Sequence, residues 1–379
     1  MTTRAPAPDA IATVPAWQGG RMQMRCVRVE QETHDVATFV LRADEPLLYP
    51  FRPGQFVTIE PRIDGRTVPR CYSISSPPSR PYAFSITVKR VPGGLVSNWL
   101  HDQLREGDTL TVSGPQGDFN LIDRPARRML MLSGGSGITP VMSMARWLHD
   151  TAADVDLHFV HAARSPEDII YRGELEQLCG ASERFRLSLV CESEGEVGWS
   201  GYRGRLDADM LQQMVPDLRE RTVFTCGPEP FMEAVRDVLG GLAFPAGCYH
   251  EESFGGGEAS SAPAGGGDAA AERAAPAESL DDEGDEVAVA TRTACTVRMA
   301  RTGLEFACAP SETLLQAAQR NGGWIPCACR MGVCGSCRVA KTAGAVSMSH
   351  MGGITTADEE AGYVLACCAY PLGDVEIDC

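Results

Sequence analysis

The cysteines near the end of the chain have the spacing of an iron–sulfur site. Cys329, Cys334 and Cys337 follow the pattern C-x4-C-x2-C, and the adjacent Cys367 and Cys368 lie further along the chain. Three thiolates at this spacing, with a fourth cysteine downstream, hold a [2Fe-2S] cluster. Because such a cluster carries one electron at a time, the rest of the chain is expected to supply an electron donor and a route to an acceptor.

Structural zinc is the main alternative for these cysteines. A four-cysteine zinc site usually contains two C-x2-C pairs. This chain has one such pair, Cys334 with Cys337, and adjacent cysteines such as Cys367 and Cys368 cannot easily bind one ion together. The spacing therefore favours iron and sulfur, and a zinc-stabilised binding module remains the second hypothesis.

A glycine-rich turn in the middle of the chain could bind a pyrophosphate. The sequence Ser-Gly-Gly-Ser-Gly-Ile-Thr-Pro at residues 133–140 follows a short apolar run and precedes a helical pattern. Glycines let the backbone approach an anion, and the N–H groups and dipole of the helix favour its charge. Pro140 stands where the third glycine of G-x-G-x-x-G would be, so an ordinary strand-to-helix turn remains possible.

The patterns around these motifs predict three folded regions. Short alternating runs at 25–30, 37–41, 55–60 and 84–89 predict an antiparallel β-barrel. Strands at 129–132, 157–162, 186–191 and 222–226 alternate with helices at 141–149 and 171–179, which predicts a doubly wound α/β sheet. Strands at 294–299 and 304–308 and a helix at 312–320 fit a β-grasp domain.

Composition separates the last region from the others. Residues 255–290 contain nine acidic residues and one basic residue, which is half of the net charge of −16, and almost no large apolar residues. Such a segment cannot bury enough surface to fold and is interpreted as a flexible linker. The predicted domains are therefore residues 20–123 (antiparallel barrel), 124–254 (α/β domain), 255–290 (linker) and 291–379 (the domain with the cysteine motif).

Composition also limits the partners and the compartment. The acidic balance argues against a nucleic-acid partner, which would call for a basic patch. No signal peptide and no apolar run long enough to span a bilayer is evident, so a cytoplasmic protein without a membrane partner is expected. The 15 cysteines of this large chain fit metal binding in a reducing cytosol better than disulfides.

Further motifs on both sides of the glycine-rich turn resemble the ferredoxin–NADP reductase superfamily. They are Arg70-Cys71-Tyr72-Ser73, Ile-Thr-Val-Lys-Arg at 86–90, Gly-Gly-Leu-Val-Ser-Asn at 93–98 and Cys226-Gly227-Pro228. Each is weak alone, and the ordered set carries the resemblance. An arginine fork suits a phosphate, a tyrosine ring can cover a flavin, and a serine hydroxyl can hydrogen-bond it. Ser97 is expected to be the N-cap of a helix over 98–104 whose amides suit the flavin pyrophosphate.

The resemblance implies a set of site residues. Ser73 and Cys226 are the implied catalytic residues. The alternative for Cys226 is a purely structural role, as a small apolar residue at the end of a buried strand. The implied flavin contacts are Arg70, Tyr72, Ser73, Val88, Lys89, Leu95, Val96, Ser97, Asn98 and Phe254, the last with an equal alternative as a structural aromatic. The implied dinucleotide contacts are Gly134, Gly135, Gly137, Thr139, Pro140, Arg164, Cys226, Gly227 and Pro228.

The cysteine-rich segments resemble plant-type ferredoxins at 324–337 and 365–371. The register of that resemblance selects Cys329, Cys334, Cys337 and Cys367 as cluster ligands. It leaves Cys327 and Cys368 as non-ligands. Gly332 and Gly335 are expected to keep the loop tight, so that backbone N–H groups approach the sulfurs.

Together the chain resembles one-component flavin–NAD–[2Fe-2S] ferredoxin reductases. The implied activity passes electrons from NADH through FAD and the cluster to a Rieske-type oxygenase. Within this family, the resemblance is greatest to reductases whose oxygenases act on glycine betaine or a related quaternary amine. A hybrid-cluster protein is the alternative acceptor, and a redox sensor is an alternative class, although no output segment is evident. FMN stays open because some reductases of this domain order carry it, although the motifs at 70–73 and 93–98 look more like those of FAD members. NADPH stays open because no ribose-binding acid is evident near residues 161–165 and Arg164 could suit a 2′-phosphate.

The predicted linker generates a test. A flexible segment of 36 residues has a root-mean-square span of about 33 Å, which would let the ferredoxin domain move between flavin and acceptor. We expect that shortening it to a few residues slows reduction of cytochrome c or of an oxygenase. Unchanged reduction rates would refute this role.

Overall fold

The structure is a computed structural model. It describes residues 14–196, 198–254, 295–325, 327, 332, 335, 337–350 and 353–379. The predicted linker at 255–290 lies outside the described residues, and so do two of the predicted cluster ligands, Cys329 and Cys334. Among the described residues, no helix is long and apolar enough to cross a membrane.

The first region is an antiparallel barrel, as predicted. Its six-stranded sheet has the order β6-β3-β8-β1-β2-β7, and a bridge between Ile74 and Ile86 joins its two edge strands. Alternating residues such as Phe39, Leu41 and Ile59 fill its interior. The elements are β1 (Arg21–Thr33), β2 (Val36–Arg42), β3 (Phe56–Ile59), β4 (Arg62–Ile63), β5 (Arg66–Thr67), β6 (Arg70–Ser73), β7 (Phe84–Lys89), α1 (Leu95–Gln103) and β8 (Thr109–Gln116).

The second region is the predicted doubly wound domain. Its six strands are all parallel, in the order β12-β11-β10-β9-β13-β14. The central strand β9 is a continuous apolar run because helices cover a parallel sheet on both faces. The elements are β9 (Arg128–Gly134), α2 (Ile138–Asp150), β10 (Asp156–Ala163), α3 (Arg172–Gly180), β11 (Phe185–Cys191), β12 (Tyr202–Arg203), α4 (Ala208–Met214), β13 (Thr222–Gly227), α5 (Glu229–Gly241) and β14 (Tyr249–Ser253).

The third region has a mixed five-stranded sheet in the order β16-β15-β21-β17-β19. Its helix begins at Leu314 rather than at residue 312, because Thr313 and Gln316 form a reciprocal capping box. The elements are β15 (Cys295–Met299), β16 (Leu304–Cys308), α6 (Leu314–Arg320), β17 (Arg338–Ala343), β18 (Val346–Met348), α7 (Thr356–Glu360), β19 (Tyr363–Leu365), β20 (Ala369–Pro371) and β21 (Val375–Asp378).

Candidate functional site

The glycine-rich turn and the Cys-Gly-Pro motif meet at the carboxyl edge of the parallel sheet. Strand β9 runs into a 3₁₀ turn at Gly135–Gly137, from which α2 begins. A Cβ atom on Gly137 would lie 2.3 Å from the carbonyl oxygen of Cys226. Because only glycine fits there, the start of α2 can pack directly against the end of β13.

The four glycines of this edge have different roles. Cβ atoms on Gly134 and Gly227 would lie 2.8 and 2.4 Å from ring carbons of Phe231, so these residues and Gly137 are needed for packing. Gly135 has a φ of +48° and open space where a side chain would stand. A backbone that is bare at the start of a helix fits an approaching pyrophosphate.

Thr139 and Pro140 lie in the first turn of α2 and are buried. The Thr139 hydroxyl donates a hydrogen bond to the carbonyl oxygen of Ser136 at 3.1 Å. These two predicted contact residues therefore build the turn that presents Gly135.

A row of buried side chains crosses the sheet beside this turn. Strand register pairs His161 with Ser133, Ser133 with Cys226, and Cys226 with Glu252. His161 Nδ1 lies 2.8 Å from the Ser133 hydroxyl. Burial lowers the pKa of His161 to about 4, so the imidazole is neutral near pH 7.

Cys226 stands in the middle of the row and is fully buried. Burial raises the pKa of its thiol well above the ordinary value, and the neighbouring carboxylate of Glu252 raises it further. Cys226 is therefore a neutral thiol at physiological pH. It can pack against a ring or share a weak hydrogen bond, but it is not an activated nucleophile.

Glu252 is the functional candidate that the sequence motifs missed. It lies opposite Cys226 in the register of β13 and β14 and is only 6% exposed. A carboxylate so nearly buried beside a cofactor edge is suited to proton transfer. The sequence feature that could have identified Glu252 is its position two residues before Phe254, near the end of the last strand of the domain.

The flavin motif of the barrel lies on β6. Ser73 ends this strand and is buried, whereas Arg70 and Tyr72 are partly exposed. The Arg70 guanidinium donates one hydrogen bond, to the carbonyl oxygen of Pro69 at 2.8 Å. Because a guanidinium group has five N–H donors, it can also bind a phosphate. On β7, Val88 is buried and its carbonyl oxygen is 2.9 Å from His101 Nε2.

The expectation that Ser97 caps a helix over 98–104 was wrong. Helix α1 begins at Leu95, and Gly94 occupies the N-cap position without a side-chain cap. Ser97 lies in the first turn, where its hydroxyl accepts a hydrogen bond from the Val91 amide at 3.2 Å. The Asn98 side chain donates to the Val91 carbonyl oxygen, so these two residues hold the preceding loop. Leu95 is 48% exposed and Val96 is buried.

The two halves of the site face each other. Strand β7 contacts the 3₁₀ turn at Gly135–Gly137, and β6 is joined to β7 through Ile74 and Ile86. The barrel motif and the dinucleotide turn therefore lie on elements that are linked through β7. An aromatic face, a buried hydroxyl, bare helix-start amides and an arginine fork together fit a flavin on one wall and a nicotinamide dinucleotide on the other.

Arg164 and Lys89 belong to an ion cluster between the domains. Arg164 lies 3.4 Å from Asp35 and 3.1 Å from Asp168, and Lys89 lies 3.1 Å from Asp35. Burial works against the charge of Asp35, but Lys89 and its other partners hold the pKa of Asp35 below its ordinary value. The positive charge of Arg164 is thus already balanced by Asp35 and Asp168. A 2′-phosphate bound at Arg164 would lie close to these two carboxylates.

Two of the four predicted cluster ligands are described, and they are neighbours. Cys337 and Cys367 are both buried, and the backbone N–H of Cys367 points at Cys337 Sγ with an N···S distance of 3.4 Å. An N–H group aimed at a sulfur fits a thiolate that binds iron. Gly332 and Gly335 have φ values of +68° and +74°, which agrees with a tight loop.

The two predicted non-ligands, Cys368 and Cys327, make the following contacts among the described residues. Cys368 Sγ lies 3.6 Å from the carbonyl oxygen of Leu365, and a Cβ on Gly332 would lie 2.9 Å from it. Cys327 Sγ accepts a hydrogen bond from the side chain of Gln319 at 3.5 Å.

A cavity of about 740 Å³ separates the ferredoxin domain from the edge strand β14. Its lining includes Glu252 and Ser253 on one side and Trp324 and Cys327 on the other. The segment that enters the cysteine loop therefore faces the end of β14. Phe254 follows this strand and is 37% exposed.

Models of three known domain families match the chain in the order of these regions. An oxidoreductase FAD-binding domain matches residues 23–121, an oxidoreductase NAD-binding domain matches 131–237, and a 2Fe-2S iron-sulfur cluster binding domain matches 297–372. The chain is thus an oxidoreductase whose cofactors are FAD, NADH and a [2Fe-2S] cluster.

Whole-chain relatives show the family. The chain is 52% identical to the glycine betaine monooxygenase reductase subunit of Pseudomonas aeruginosa, over 97% of both chains. It is 39% identical to a stachydrine N-demethylase reductase subunit of Rhizobium meliloti, over 94% of this chain and 96% of that one. The chain therefore belongs to the flavin–NAD–[2Fe-2S] ferredoxin reductases of the ferredoxin–NADP reductase superfamily.

A solved structure shares the fold. Phthalate dioxygenase reductase is 24% identical and aligns with a TM-score of 0.55, over 95% of this chain and 98% of that one. The likeness supports the three-domain architecture.

The adjacent cysteines give a matched test of the cluster ligands. Cys367→Ser is expected to remove most of the bound iron and the visible absorbance of the cluster, because it replaces a thiolate ligand with a hydroxyl. Cys368→Ser, one residue away, is expected to keep both. Iron analysis of the purified variants measures this, and equal iron loss in the two would contradict the assignment.

Glu252 and Glu251 give a second matched pair, since they lie next to each other on β14. Glu251 is bound by Arg236 and by the Tyr249 hydroxyl. We expect Glu252→Gln to slow NADH-driven electron transfer about 100-fold, the usual size of a lost acid–base contribution, with the bound FAD retained. Glu251→Gln should change the rate much less. Stopped-flow spectroscopy measures both, and a Glu252→Gln rate within twofold of wild type would contradict the role.

Proposed function

We propose that this chain is the reductase component of a Rieske-type monooxygenase that acts on glycine betaine or a related quaternary amine. Support comes from the extent of the match to a glycine betaine monooxygenase reductase subunit, which spans all three domains at 52% identity. The proposed domain limits are 20–123, 124–254 and 291–379, joined by residues 255–290.

One observation supports the reductase mechanism most directly. The 3₁₀ turn at Gly135–Gly137 contacts the barrel strand β7 and packs so closely on the Cys226 carbonyl group that no side chain fits between them. A dinucleotide whose pyrophosphate lies at Gly135 would therefore place its nicotinamide between the Cys-Gly-Pro motif and the flavin motif Arg70–Ser73. That position is required for direct transfer of a hydride between two rings.

The residues of the cleft position the cofactors and exclude water. When bound, FAD accepts a hydride from NADH and allows its electrons to leave singly toward the cluster. In our proposal Arg70 binds the flavin phosphates, Tyr72 covers the ring and the Ser73 hydroxyl hydrogen-bonds its edge. Cys226, as a neutral thiol, packs beside the nicotinamide without adding charge. Glu252 holds or supplies a proton at its carboxylate.

The ion cluster around Arg164 supports NADH as the preferred coenzyme. Asp35 and Asp168 both lie within 3.5 Å of the Arg164 guanidinium. Placing a 2′-phosphate there would break these pairs and bring the phosphate close to two carboxylates. The adenosine ribose of NADH instead carries hydroxyl groups, and these can donate hydrogen bonds to the two carboxylates.

We propose Cys329, Cys334, Cys337 and Cys367 as the ligands of the cluster. The hydrogen bond from the Cys367 amide to Cys337 Sγ supports two of them. We also propose a cytoplasmic location. It is supported by the ligand spacing of Cys329, Cys334 and Cys337, because cysteines that bind metal rather than form disulfides are typical of a reducing compartment.

The acceptor is tested by mixing the NADH-reduced protein, without oxygen, with the oxygenase component of the Pseudomonas aeruginosa glycine betaine monooxygenase. The Rieske centre of the oxygenase should be reduced within seconds, on the order of the time of common enzymatic turnovers. The Cys367→Ser variant should reduce it at least tenfold more slowly, because the single-electron step is lost.

An oxygenase that stays oxidised while the same reductase rapidly reduces cytochrome c would contradict the proposed partner. In that case the reductase mechanism would stand and the acceptor would be a different protein.

A further inference from the structure

Helix α2 carries a polar stripe that faces the barrel. Ser143, Arg146 and Asp150 are spaced by three and four residues, so they lie on one face of the helix. All three contact residues 75–80, the segment that follows β6. The interdomain seam is defined by these contacts and consists of Ser143, Arg146 and Asp150 with Ser75, Ser76, Ser79 and Arg80.

The seam is dense in hydrogen bonds. The Ser143 hydroxyl donates to the Ser76 carbonyl oxygen at 2.7 Å. Asp150 accepts from the Ser79 hydroxyl at 2.6 Å and from the Arg80 guanidinium twice at 2.9 Å.

Arg146 is the buried centre of the seam. It is 8% exposed and donates to the Ser75 carbonyl oxygen at 2.6 Å. Its other two nitrogens, Nε and Nη2, donate to the two carboxylate oxygens of Glu174 at 2.8 and 2.5 Å. This use of the planar fork cannot be reproduced by lysine, which carries a single ammonium group.

Tyr171 ties the same arginine to a second part of the barrel. The Arg146 guanidinium lies over the Tyr171 ring, 4.5 Å from its centre. The Tyr171 hydroxyl hydrogen-bonds to Thr87 on β7. Tyr171 has a φ of +59°, a left-handed conformation that is rare for a bulky residue. Surrounding contacts must therefore hold it in place.

The two ends of the seam lead to the two cofactor motifs. Helix α2 begins at the turn proposed for the dinucleotide pyrophosphate, and Ser75 lies two residues after Ser73 of the flavin motif. We propose that Arg146 is a positioning residue for hydride transfer, which fixes the distance between the nicotinamide and flavin rings by clamping α2 to residues 75–80. This inference rests on the proposed function.

A second buried arginine separates positioning from general stability. Arg221 is 1% exposed and binds Asp217 and Asp156, together with the Met129 and Asp156 carbonyl oxygens. Its bonds thus resemble those of Arg146 in number and type. All of these partners belong to the α/β domain, so Arg221 does not bridge to the barrel through them.

The experiment compares Arg146→Lys with Arg221→Lys in the full-length protein. Flavin reduction is followed by anaerobic stopped flow over a range of NADH concentrations, which separates the limiting rate from NADH affinity. For Arg146→Lys we expect the limiting rate to fall at least tenfold, because displacements of about 1 Å cost up to 100-fold. We expect the NADH affinity to stay within about twofold, since a ring distance rather than a binding contact has changed.

Amide hydrogen exchange gives a readout that needs no turnover. We expect faster exchange at residues 75–80 in Arg146→Lys than in wild type, and unchanged exchange there in Arg221→Lys. NADH deuterated at the transferred position should show a larger isotope effect in Arg146→Lys than in wild type, because the hydride step limits the rate more fully.

Two results would overturn the inference. One is an Arg146→Lys limiting rate within twofold of wild type. The other is an equal loss of rate in Arg221→Lys, since that would reflect destabilisation in general. A wild-type flavin that NADH does not reduce would instead contradict the proposed function. The exchange comparison would then still decide whether Arg146 holds residues 75–80.

Discussion

The buried contact of Arg146 with Glu174 and the Ser75 carbonyl group is the constraint on which the active cleft depends. Hydride transfer requires two rings, held by two different domains, to meet at contact distance. A charged group in a buried interface is stable only when its hydrogen bonds are satisfied. Because Arg146 has one set of partners on α3 and another on the barrel, the domains have few alternative arrangements that satisfy it. Arg146 lies on α2, the helix that begins at the dinucleotide turn Gly135–Gly137. Any shift of Arg146 relative to the barrel therefore shifts this turn as well.

The charges of the cleft follow from burial. Cys226 is a neutral thiol and His161 a neutral imidazole at physiological pH, because burial shifts the pKa of each toward its uncharged form. Arg164 and Lys89 are paired with carboxylates at the edge of the site. The buried row of His161, Ser133 and Cys226 beside Glu252 is therefore uncharged. Such an environment strengthens a hydrogen bond between the Glu252 carboxyl group and a bound ring.

Sequence motifs predicted the fold and the local parts of the site. The glycine-rich turn, Arg70–Ser73 and Cys226 are each encoded in a few consecutive residues, and the turn packs against the end of the strand that carries Cys226. Glu252 was missed because its significance comes from register with Cys226 on a neighbouring strand. The pairing of Arg164 with Asp35 was missed because these residues are distant in the chain and lie in different domains. Ser97 was misplaced as a cap because Gly94, three residues earlier, occupies the N-cap position although it has no side chain.

The cysteines also separate what a local sequence pattern predicts from what it does not. Spacing alone separated a [2Fe-2S] site from zinc, but it could not choose between Cys367 and Cys368, which are adjacent. The resemblance to ferredoxins selected Cys367, and its amide lies against Cys337 Sγ. The cavity between the ferredoxin domain and β14 could not be predicted from any local pattern, since residues of separate domains line it.

The central claim is that one chain converts a two-electron donor into single electrons with a flavin and a one-electron cluster. An anaerobic titration with NADH, followed by visible absorbance and by electron paramagnetic resonance of the cluster, tests it most directly. A flavin and a [2Fe-2S] cluster together hold three electrons, so full reduction should take about 1.5 equivalents of NADH per chain. An end point at about one equivalent, with the cluster still oxidised, would contradict the account, because NADH would then reach the flavin alone.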